Sequence, residues 1–559
     1  MPKEISYKLF VSLGALSIGF FLFPREFLNP FSVDWVWGSG DFEQHFIGWQ
    51  FFLREPLFQF PLAKLNLYGD GVAQSIIFTD SIPIVAIPLK FLVGQAPGVF
   101  QYFGLFVLSS LVFQALLSYL YFRLSGVTAL VSSSLALVVC VAPPLLFRAT
   151  CHTSLTAQWM LIAALILCKL KKQSWWRWLL LLSISLWVHL YLFAMCLLLF
   201  LSSLNRRYFQ KRWNGTLWLA GILGLLLLQS YSLGYIPRIP SDATSSGYGI
   251  FTFNLLSPIT SATNYSLILP GFELPYGSHE GFSFFGPALL VALALVGFSS
   301  RPRKIFTDSV LSMDKKLLLV IIAMALFAVS PVVSIGFHKI DLGRLPYPLF
   351  IVGDTFRASG RFIWPLYYCL MLESFVAVAL AYAPRNLPPK RSQSFVTLFI
   401  LFAVISVSLG DLYGYSSSRR IQFTGQLDTT RQPMENIRAS ILETSGRLPR
   451  SYIFYPNLEA PHGSDLVARL ALLSSSSTNG TYLARYDKSL ISTQNTDNKK
   501  AILDKRLDPE AVYILGDLES PEQLALPAIC MPDFARGSET HCLLEVEGFR
   551  LLTPYPYQR

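Results

Sequence analysis

The sequence predicts an α-helical polytopic membrane protein that ends in a small domain outside the membrane. Of its 559 residues, 53% are hydrophobic and only 14% are charged, whereas an ordinary soluble protein carries about 25% charged residues. Many apolar stretches approach the roughly 20 residues that one spanning helix needs. Short loops rich in basic residues, Gly or Pro separate these stretches, so the chain cannot be a string of soluble domains.

The net charge of +11 supports the same class. The Lys and Arg residues stand in short clusters between apolar runs, which is typical of the cytoplasmic loops of membrane proteins. A nucleic-acid-binding protein would instead concentrate its basic residues on one domain or stripe. We therefore expect membrane lipids and no nucleic acid among the partners.

The N-terminal segment predicts an uncleaved signal anchor with its N-terminus in the cytoplasm, because Lys3 and Lys8 precede an apolar run that lacks a small-x-small cleavage site. Residues 24–78 then form a long first outer loop. Within this loop, apolar and aromatic positions recur at spacings of three and four from Asp41 to Leu53. This spacing predicts a helix lying along the membrane surface.

The remaining apolar runs predict further spans at about 100–122, 127–147, 154–170, 214–232, 284–299, 316–335, 362–383 and 395–412. Segment 174–204 has basic clusters at both ends, so it must leave the cytoplasm and return, with His189 at the tip of a short hairpin. Segment 79–94 is short and contains Pro83 and Pro88. We interpret it as a short or re-entrant outer element, since a full span here would reverse the positive-inside pattern.

This topology gives about eleven spans and one short element, with the N-terminus in the cytoplasm. Residues 1–414 would form the membrane domain. Residues 415–559 are polar and contain short β-like runs, which predicts a small α/β or α+β domain outside the membrane. Cys530 and Cys542 lie in this polar segment, and a disulfide between them is compatible with an outer location.

The first outer loop carries the first candidate site. Asp41, Glu43 and His45 follow a Gly-rich turn at the start of the predicted helix. A helix N-terminus stabilises an anion, so Asp41 could accept a proton or bind a metal. An N-cap with a surface histidine nearby explains the same residues equally simply. The sequence also leaves open a site for a divalent cation, Mg²⁺ or Mn²⁺, held by Asp41 and a second outer carboxylate.

A second candidate site consists of cations at the outer ends of the spans. Arg357 and Arg361 are four residues apart at a predicted helix start, where they could form a fork for a phosphate; snorkelling to lipid headgroups is the alternative. Arg148, His152 and His189 would suit a lipid-linked phosphate at the same membrane depth. The other charged candidates on the outer face are Asp80, Glu280 and Asp354. Glu373 lies in mid-span and is either a proton site or a buried hydrogen-bond link.

Several of these segments resemble a known family. The stretches Gly40–Trp49 (GDFEQHFIGW), Phe78–Pro83 (FTDSIP), Gln101–Gly104 (QYFG) and Arg357–Pro365 (RASGRFIWP) are similar to those of bacterial polytopic membrane proteins placed near the GT-C superfamily of membrane glycosyltransferases. The resemblance implies a GT-C-like fold in a bacterial inner membrane, with a role in the cell envelope.

The resemblance also implies a reaction: transfer of a sugar from a polyprenyl-phosphate or diphosphate donor to a glycan, lipid or protein acceptor on the outer face. An acidic residue of the first loop lies near the reaction centre of such enzymes. Asp41 is the matching position, and Glu43 is a second candidate because the motif here is Asp-Phe-Glu rather than adjacent Asp-Glu. The resemblance favours donor phosphate binding by Arg357 and Arg361. A lipid-linked glycan flippase and a non-catalytic scaffold are the alternative functions.

Overall fold

The structure is a computed structural model that describes residues 2–70, 74–94, 99–170, 174–204, 214–236, 247–261, 265–269, 271–343, 347–382, 406–425, 428, 430–457, 464–481, 488–516, 541–546 and 548–554. Packing divides the chain into two units. The first unit comprises Met1–Ser32, Phe100–Leu226 and Thr244–Gln426; the second comprises Val33–Val99, Leu227–Ala243 and Leu427–Arg559. Most of the predicted first loop therefore shares a unit with the C-terminal segment, while the predicted boundary at residue 414 stays a prediction.

Apolar helices dominate the described chain, as the composition predicts. Among the described residues, five helices are long and apolar enough to cross a membrane: Glu4–Leu22, Phe103–Leu124, Ala129–Arg148, Gly215–Leu233 and Ser359–Tyr382. Shorter apolar helices are Pro83–Val93, Thr153–Lys169, Trp175–Val188, Leu190–Ser203 and Gly286–Phe298. The run predicted at 395–412 falls largely outside the described residues, and the count of about eleven spans stays a prediction.

Two local predictions about these helices are confirmed. Segment 174–204 forms Trp175–Val188 and Leu190–Ser203, two helices of 14 residues that meet at His189. His189 has an extended backbone, and its Nδ1 accepts a hydrogen bond of 3.1 Å from the backbone N–H of Tyr191. Segment 79–94 forms the 11-residue helix Pro83–Val93, which is too short for a full span.

Within these apolar segments of the first unit, the α-helical stretches include Pro2–Leu22, Ala129–Cys140, Pro143–Arg148, Trp159–Lys169 and Trp364–Tyr382. The further helices of the unit are Arg25–Leu28, Ser300–Leu311, Lys315–Val329, Tyr347–Thr355 and Tyr413–Gly425. Strands Val332–Ile335 and His338–Asp341 form an antiparallel hairpin. Short 3₁₀ segments at Thr153–Thr156, Ser278–Gly281 and Ser359–Ile363 carry several of the candidate residues.

In the second unit, the helix predicted from Asp41 runs from Asp41 to Arg54. It packs against the 3₁₀ segment Ile76–Thr79 and the helix Ser464–Leu473. Gly48 permits this close approach, because a Cβ at that position would lie 2.2 Å from the Thr79 hydroxyl. Every residue from Phe42 to Leu53 is buried, including the polar ones. The apolar spacing thus predicts the helix correctly, whereas its place along a membrane surface stays a prediction.

The C-terminal part of the second unit contains a mixed five-stranded sheet. Its strands lie in the order Ser477–Thr478, Ser451–Tyr455, Ala511–Leu515, Phe549–Pro554 and His541–Val546. The first three are parallel, and the last two pair antiparallel. Helices Arg431–Ser445, Ser464–Leu473 and Lys488–Leu503 accompany the sheet. The prediction that the C-terminal segment contains both helices and strands is confirmed, whereas its place as a separate domain outside the membrane stays a prediction. Cys542 is disulfide-bonded, whereas Cys530 lies outside the described residues.

Candidate functional site

The predicted site of cations at the span ends forms where two 3₁₀ segments of the first unit touch, Ser278–Gly281 and Ser359–Ile363. Gly360 and Gly281 allow the contact, because a Cβ on Gly360 would lie 2.8 Å from backbone atoms of Gly281. The Gly360 N–H also donates a 3.0 Å hydrogen bond to the Phe251 carbonyl. This backbone approach brings the neighbouring residues Glu280 and Arg361 side by side.

Glu280 lies between two buried guanidinium groups. Its Oε2 accepts hydrogen bonds from Arg148 Nη2 at 2.6 Å and Arg361 Nε at 2.8 Å, and its Oε1 accepts one from Arg361 Nη2 at 3.0 Å. Burial alone would raise the pKa of the Glu280 carboxyl, but Arg148 and Arg361 together hold it well below its ordinary value. Glu280 is therefore a carboxylate at neutral pH.

Imidazole and phenol rings complete this group of side chains. The rings of His152 and His189 have centroids 6.1 Å apart, and the Arg361 guanidinium lies 4.6 Å from the ring of Tyr191. His279 Nε2 is 3.9 Å from Glu280 Oε1, and its side chain is 45% exposed. We call Arg148, His152, His189, His279, Glu280 and Arg361 the Glu280 cluster.

The predicted fork of Arg357 and Arg361 does not form. Arg361 points to Glu280, whereas the Arg357 guanidinium lies 5.7 Å from the ring centroid of Phe251. The prediction assumed α-helical spacing, but Ala358 has φ −84° and ψ 61°, and the chain continues as a 3₁₀ segment. Side chains four residues apart do not share a face there. Asp354 is half-buried in the helix Tyr347–Thr355, which ends before this turn.

The candidate site of the first outer loop lies at the start of the helix Asp41–Arg54 in the second unit. Gly38 and Gly40 adopt positive φ angles of 73° and 67°, which turn the chain into the helix. The Gly38 N–H donates a 2.9 Å hydrogen bond to Glu43 Oε2. Asp41 is the first residue of the helix and is half-buried, so its side chain is partly open to solvent.

The C-terminal segment supplies the charged groups around Glu43. The Arg469 guanidinium lies 4.0 Å from the ring centroid of Trp37 and forms a buried ion pair with Asp428. Burial raises the pKa of Glu43 to about 7, and the carboxylate of Asp465 adds to this rise; the Gly38 N–H and Arg469 oppose it. We call Trp37, Gly38, Glu43, Asp428, Asp465 and Arg469 the Glu43 cluster.

His45 and Asp80 lie close together in the second unit. Burial lowers the pKa of His45 to about 3, so its imidazole is neutral. A ring nitrogen of His45 and a carboxylate oxygen of Asp80 lie within 4.8 Å of each other. A neutral imidazole and a carboxylate are both metal ligands, so the pair offers two ligand atoms for a divalent cation.

The structure therefore gathers the predicted donor-site residues Arg148, His152, His189 and Arg361 around Glu280, which the sequence offered only as a further outer-face candidate. Sequence reasoning missed the bridging position of Glu280, the contact between Gly360 and Gly281, and the residues around Glu43. Arg469 is more than 400 residues from Glu43 in the chain. No periodicity or local motif could have linked them.

Comparisons with known proteins give a family and a distant structural likeness. No curated protein matches the chain. The solved structure entitled "Crystal Structure of ArnT from Cupriavidus metallidurans in the apo state" aligns over 98% of this chain and 97% of its own, with 13% identity and a TM-score of 0.44, which is too low to assign the fold. The family profile described as "Domain of unknown function (DUF6311)" matches residues 11–412, so the chain belongs to that family.

Proposed function

We propose that this protein is a GT-C-type glycosyltransferase that moves a sugar from a polyprenyl-phosphate or diphosphate donor to an acceptor at the outer face of a bacterial inner membrane. The observation that carries the proposal is the convergence of Arg148 and Arg361. Arg148 ends one candidate span, and Arg361 lies at the start of another. A lipid-linked phosphate needs cations at such a position, where the membrane meets water.

The Glu280 cluster is assigned to the donor. Its two guanidiniums exceed the single Glu280 carboxylate by one positive charge, and Arg357 adds another beside Phe251. Guanidiniums bind phosphate oxygens in a planar, bidentate manner and stabilise the charge that develops as the phosphate departs. His152 and His189 supply further polar groups at the same place.

The first loop is assigned to the acceptor. Asp41 acts as the base on the acceptor hydroxyl, because its side chain is partly exposed at the positive end of a helix. Glu43 is buried and already accepts the Gly38 N–H, so it supports Asp41 as a group that exchanges a proton near neutral pH. His45 and Asp80 are the residues through which Mg²⁺ or Mn²⁺ would act in this unit.

The alternative functions need different features. A flippase needs polar groups along a path through the spans. The buried Glu373 instead binds Lys169 Nζ at 3.0 Å and Ser309 Oγ at 2.6 Å, and it also accepts a hydrogen bond from Tyr121. These contacts support the role of Glu373 as a link between helices.

The experiment that separates an enzyme from a flippase or scaffold is sugar transfer. Purified protein in liposomes would be supplied with polyprenyl-phosphate-linked and polyprenyl-diphosphate-linked radiolabelled sugars and a bacterial membrane extract as the acceptor source. We expect label in the acceptor fraction, and an arm with EDTA shows whether transfer needs a divalent cation. Movement of the lipid across the bilayer without transfer would overturn the proposal in favour of a flippase.

A further inference from the structure

We propose that Glu280 occupies the binding position of the donor's phosphoryl group, and that the donor binds by exchanging with this carboxylate between Arg148 and Arg361. The inference rests on the proposed function, which assigns this cluster to the donor. It goes further by naming the residue that selects the charge of the donor. A diphosphate, whose two phosphoryl groups together carry two negative charges, is favoured over a monoanionic phosphodiester.

The geometry of Glu280 is that of a bound anion. Its two oxygens accept three hydrogen bonds of 2.6 to 3.0 Å from the two guanidiniums. A guanidinium presents the same planar pair of donors to a carboxylate and to a phosphate. Two oxygens of a phosphoryl group can therefore replace the two Glu280 oxygens while the arginines keep their positions.

The charges explain the selection. Two guanidiniums face one carboxylate, so the cluster retains one uncompensated positive charge. A monoanion that replaces Glu280 leaves this balance unchanged, and the exchange gains nothing from charge. A dianion neutralises both guanidiniums, so its binding offsets the loss of the Glu280 contacts.

The place of Glu280 in the chain suits an exchange. It belongs to a 3₁₀ segment of four residues, Ser278–Gly281, rather than to a long helix. Its side chain is 13% exposed, and the adjacent His279 is 45% exposed, so this side of the cluster opens toward solvent. The carboxylate can therefore rotate toward water without disturbing a spanning helix.

The exchange of Glu280 for the donor also changes the number of protons that the protein binds. The charged and titratable groups that face Glu280 are Arg148, Arg361, His279 and His152. The two guanidiniums are the main groups that hold the pKa of Glu280 down against its burial, and His152 lowers it further. When an anion takes over both guanidiniums and the carboxylate turns toward water, the pKa of Glu280 rises toward its ordinary value of 4.5, so binding takes up a proton in acidic solution near that pH.

The test measures anion binding to the full-length protein in detergent by titration calorimetry. Sulfate serves as a dianion that does not titrate, and dimethyl phosphate serves as the monoanion. For the wild type we expect weak sulfate binding and still weaker binding of dimethyl phosphate. Near pH 4.5 sulfate binding should be accompanied by proton uptake, detected by comparing buffers of different ionisation enthalpy. Glu280→Gln should bind sulfate at least about ten-fold more tightly and without proton uptake, because the competing carboxylate is gone.

Glu273→Gln is the matched control, because it makes the same change on an exposed carboxylate of the same loop and should bind like the wild type. Glu280→Asp is the second variant for the case that Glu280→Gln does not fold. Its shorter side chain cannot reach both guanidiniums, so sulfate binding should again be tighter than in the wild type.

Each outcome decides the inference. Sulfate affinity that is unchanged in both Glu280 variants would overturn it, and so would equal wild-type affinities for sulfate and dimethyl phosphate. Tighter binding in the variants, combined with no sugar transfer from any lipid donor, would leave the exchange standing and overturn the proposed function. The two failures are therefore distinguishable.

Discussion

Glu43 is buried and Glu280 is largely buried, yet the surroundings of these two carboxyl groups move their pKa values in opposite directions. Two guanidiniums and three hydrogen bonds hold the pKa of Glu280 well below its ordinary value. Glu43 accepts one backbone N–H and has Asp465 nearby, and its pKa rises to about 7. Burial raises the pKa of both carboxyl groups, so the neighbouring charges decide the result.

The difference suggests a division of tasks. A carboxylate that stays ionised anchors cations, whereas a carboxyl group that titrates near pH 7 can take up and release protons under physiological conditions. The proposed function follows this division: the Glu280 cluster binds the charged donor, and the first loop accepts the proton of the acceptor hydroxyl. The following predictions test each side of the comparison, beginning with the largest expected effect.

Removing one guanidinium from the Glu280 cluster should lower the stability of the protein. Arg361→Ala leaves a buried carboxylate with Arg148 as its remaining strong partner, and we expect the free energy of unfolding to fall by about 3 kcal/mol or more. Chemical unfolding in detergent measures the change. Arg431→Gln removes a side chain that is 61% exposed and should have little effect. Equal losses for the two variants would mean that the buried pair is unimportant for stability.

The raised pKa of Glu43 predicts that the stability of the protein depends on pH. The folded pKa of about 7 lies above the ordinary value of 4.5, so the unfolded state loses this proton first. Below pH 4.5 the group is protonated in both states; as the pH rises to about 7, its contribution to stability falls by roughly 3 kcal/mol.

Glu43→Gln removes this titration, so the variant should gain stability relative to the wild type between pH 5 and pH 8. Unfolding midpoints measured across this range check the trend. The same substitution at Glu435, whose side chain is 41% exposed, should leave the wild-type slope in place. A constant difference between Glu43→Gln and the wild type at all pH values would contradict the raised pKa.

A smaller loss of stability is expected from disturbing the backbone contact between Gly360 and Gly281, which places Glu280 beside Arg361. In Gly360→Ala the new Cβ would meet backbone atoms of Gly281 and Thr252 at 2.8 Å, and a backbone cannot move aside as a flexible side chain can. We expect a loss of about 2 kcal/mol. Gly297→Ala is the control, because nothing lies within 4 Å of its Cβ position. Unfolding curves of equal stability for both variants would show that the contact is not tight.

The sequence was sufficient for features set by local patterns. Apolar spacing predicted the helix that begins at Asp41, and charge clusters predicted the break at His189, because both depend on neighbouring residues. The predicted Arg357–Arg361 fork failed where Ala358 leaves the helical conformation. The partners of Glu280 and Glu43 come from segments far apart in the chain, and only the folded backbone brings them together. Their pKa values could not be anticipated for the same reason.

The role of Asp41 is tested most directly by sugar transfer with two matched variants. Asp41→Asn keeps the shape of the side chain but removes the proposed base, whereas Asp34→Asn makes the same change at an exposed position of the same loop. We expect transfer from the lipid-linked donor to fall by about 100-fold or more in Asp41→Asn and to stay at the wild-type rate in Asp34→Asn. Full transfer by a normally expressed Asp41→Asn protein would contradict the account.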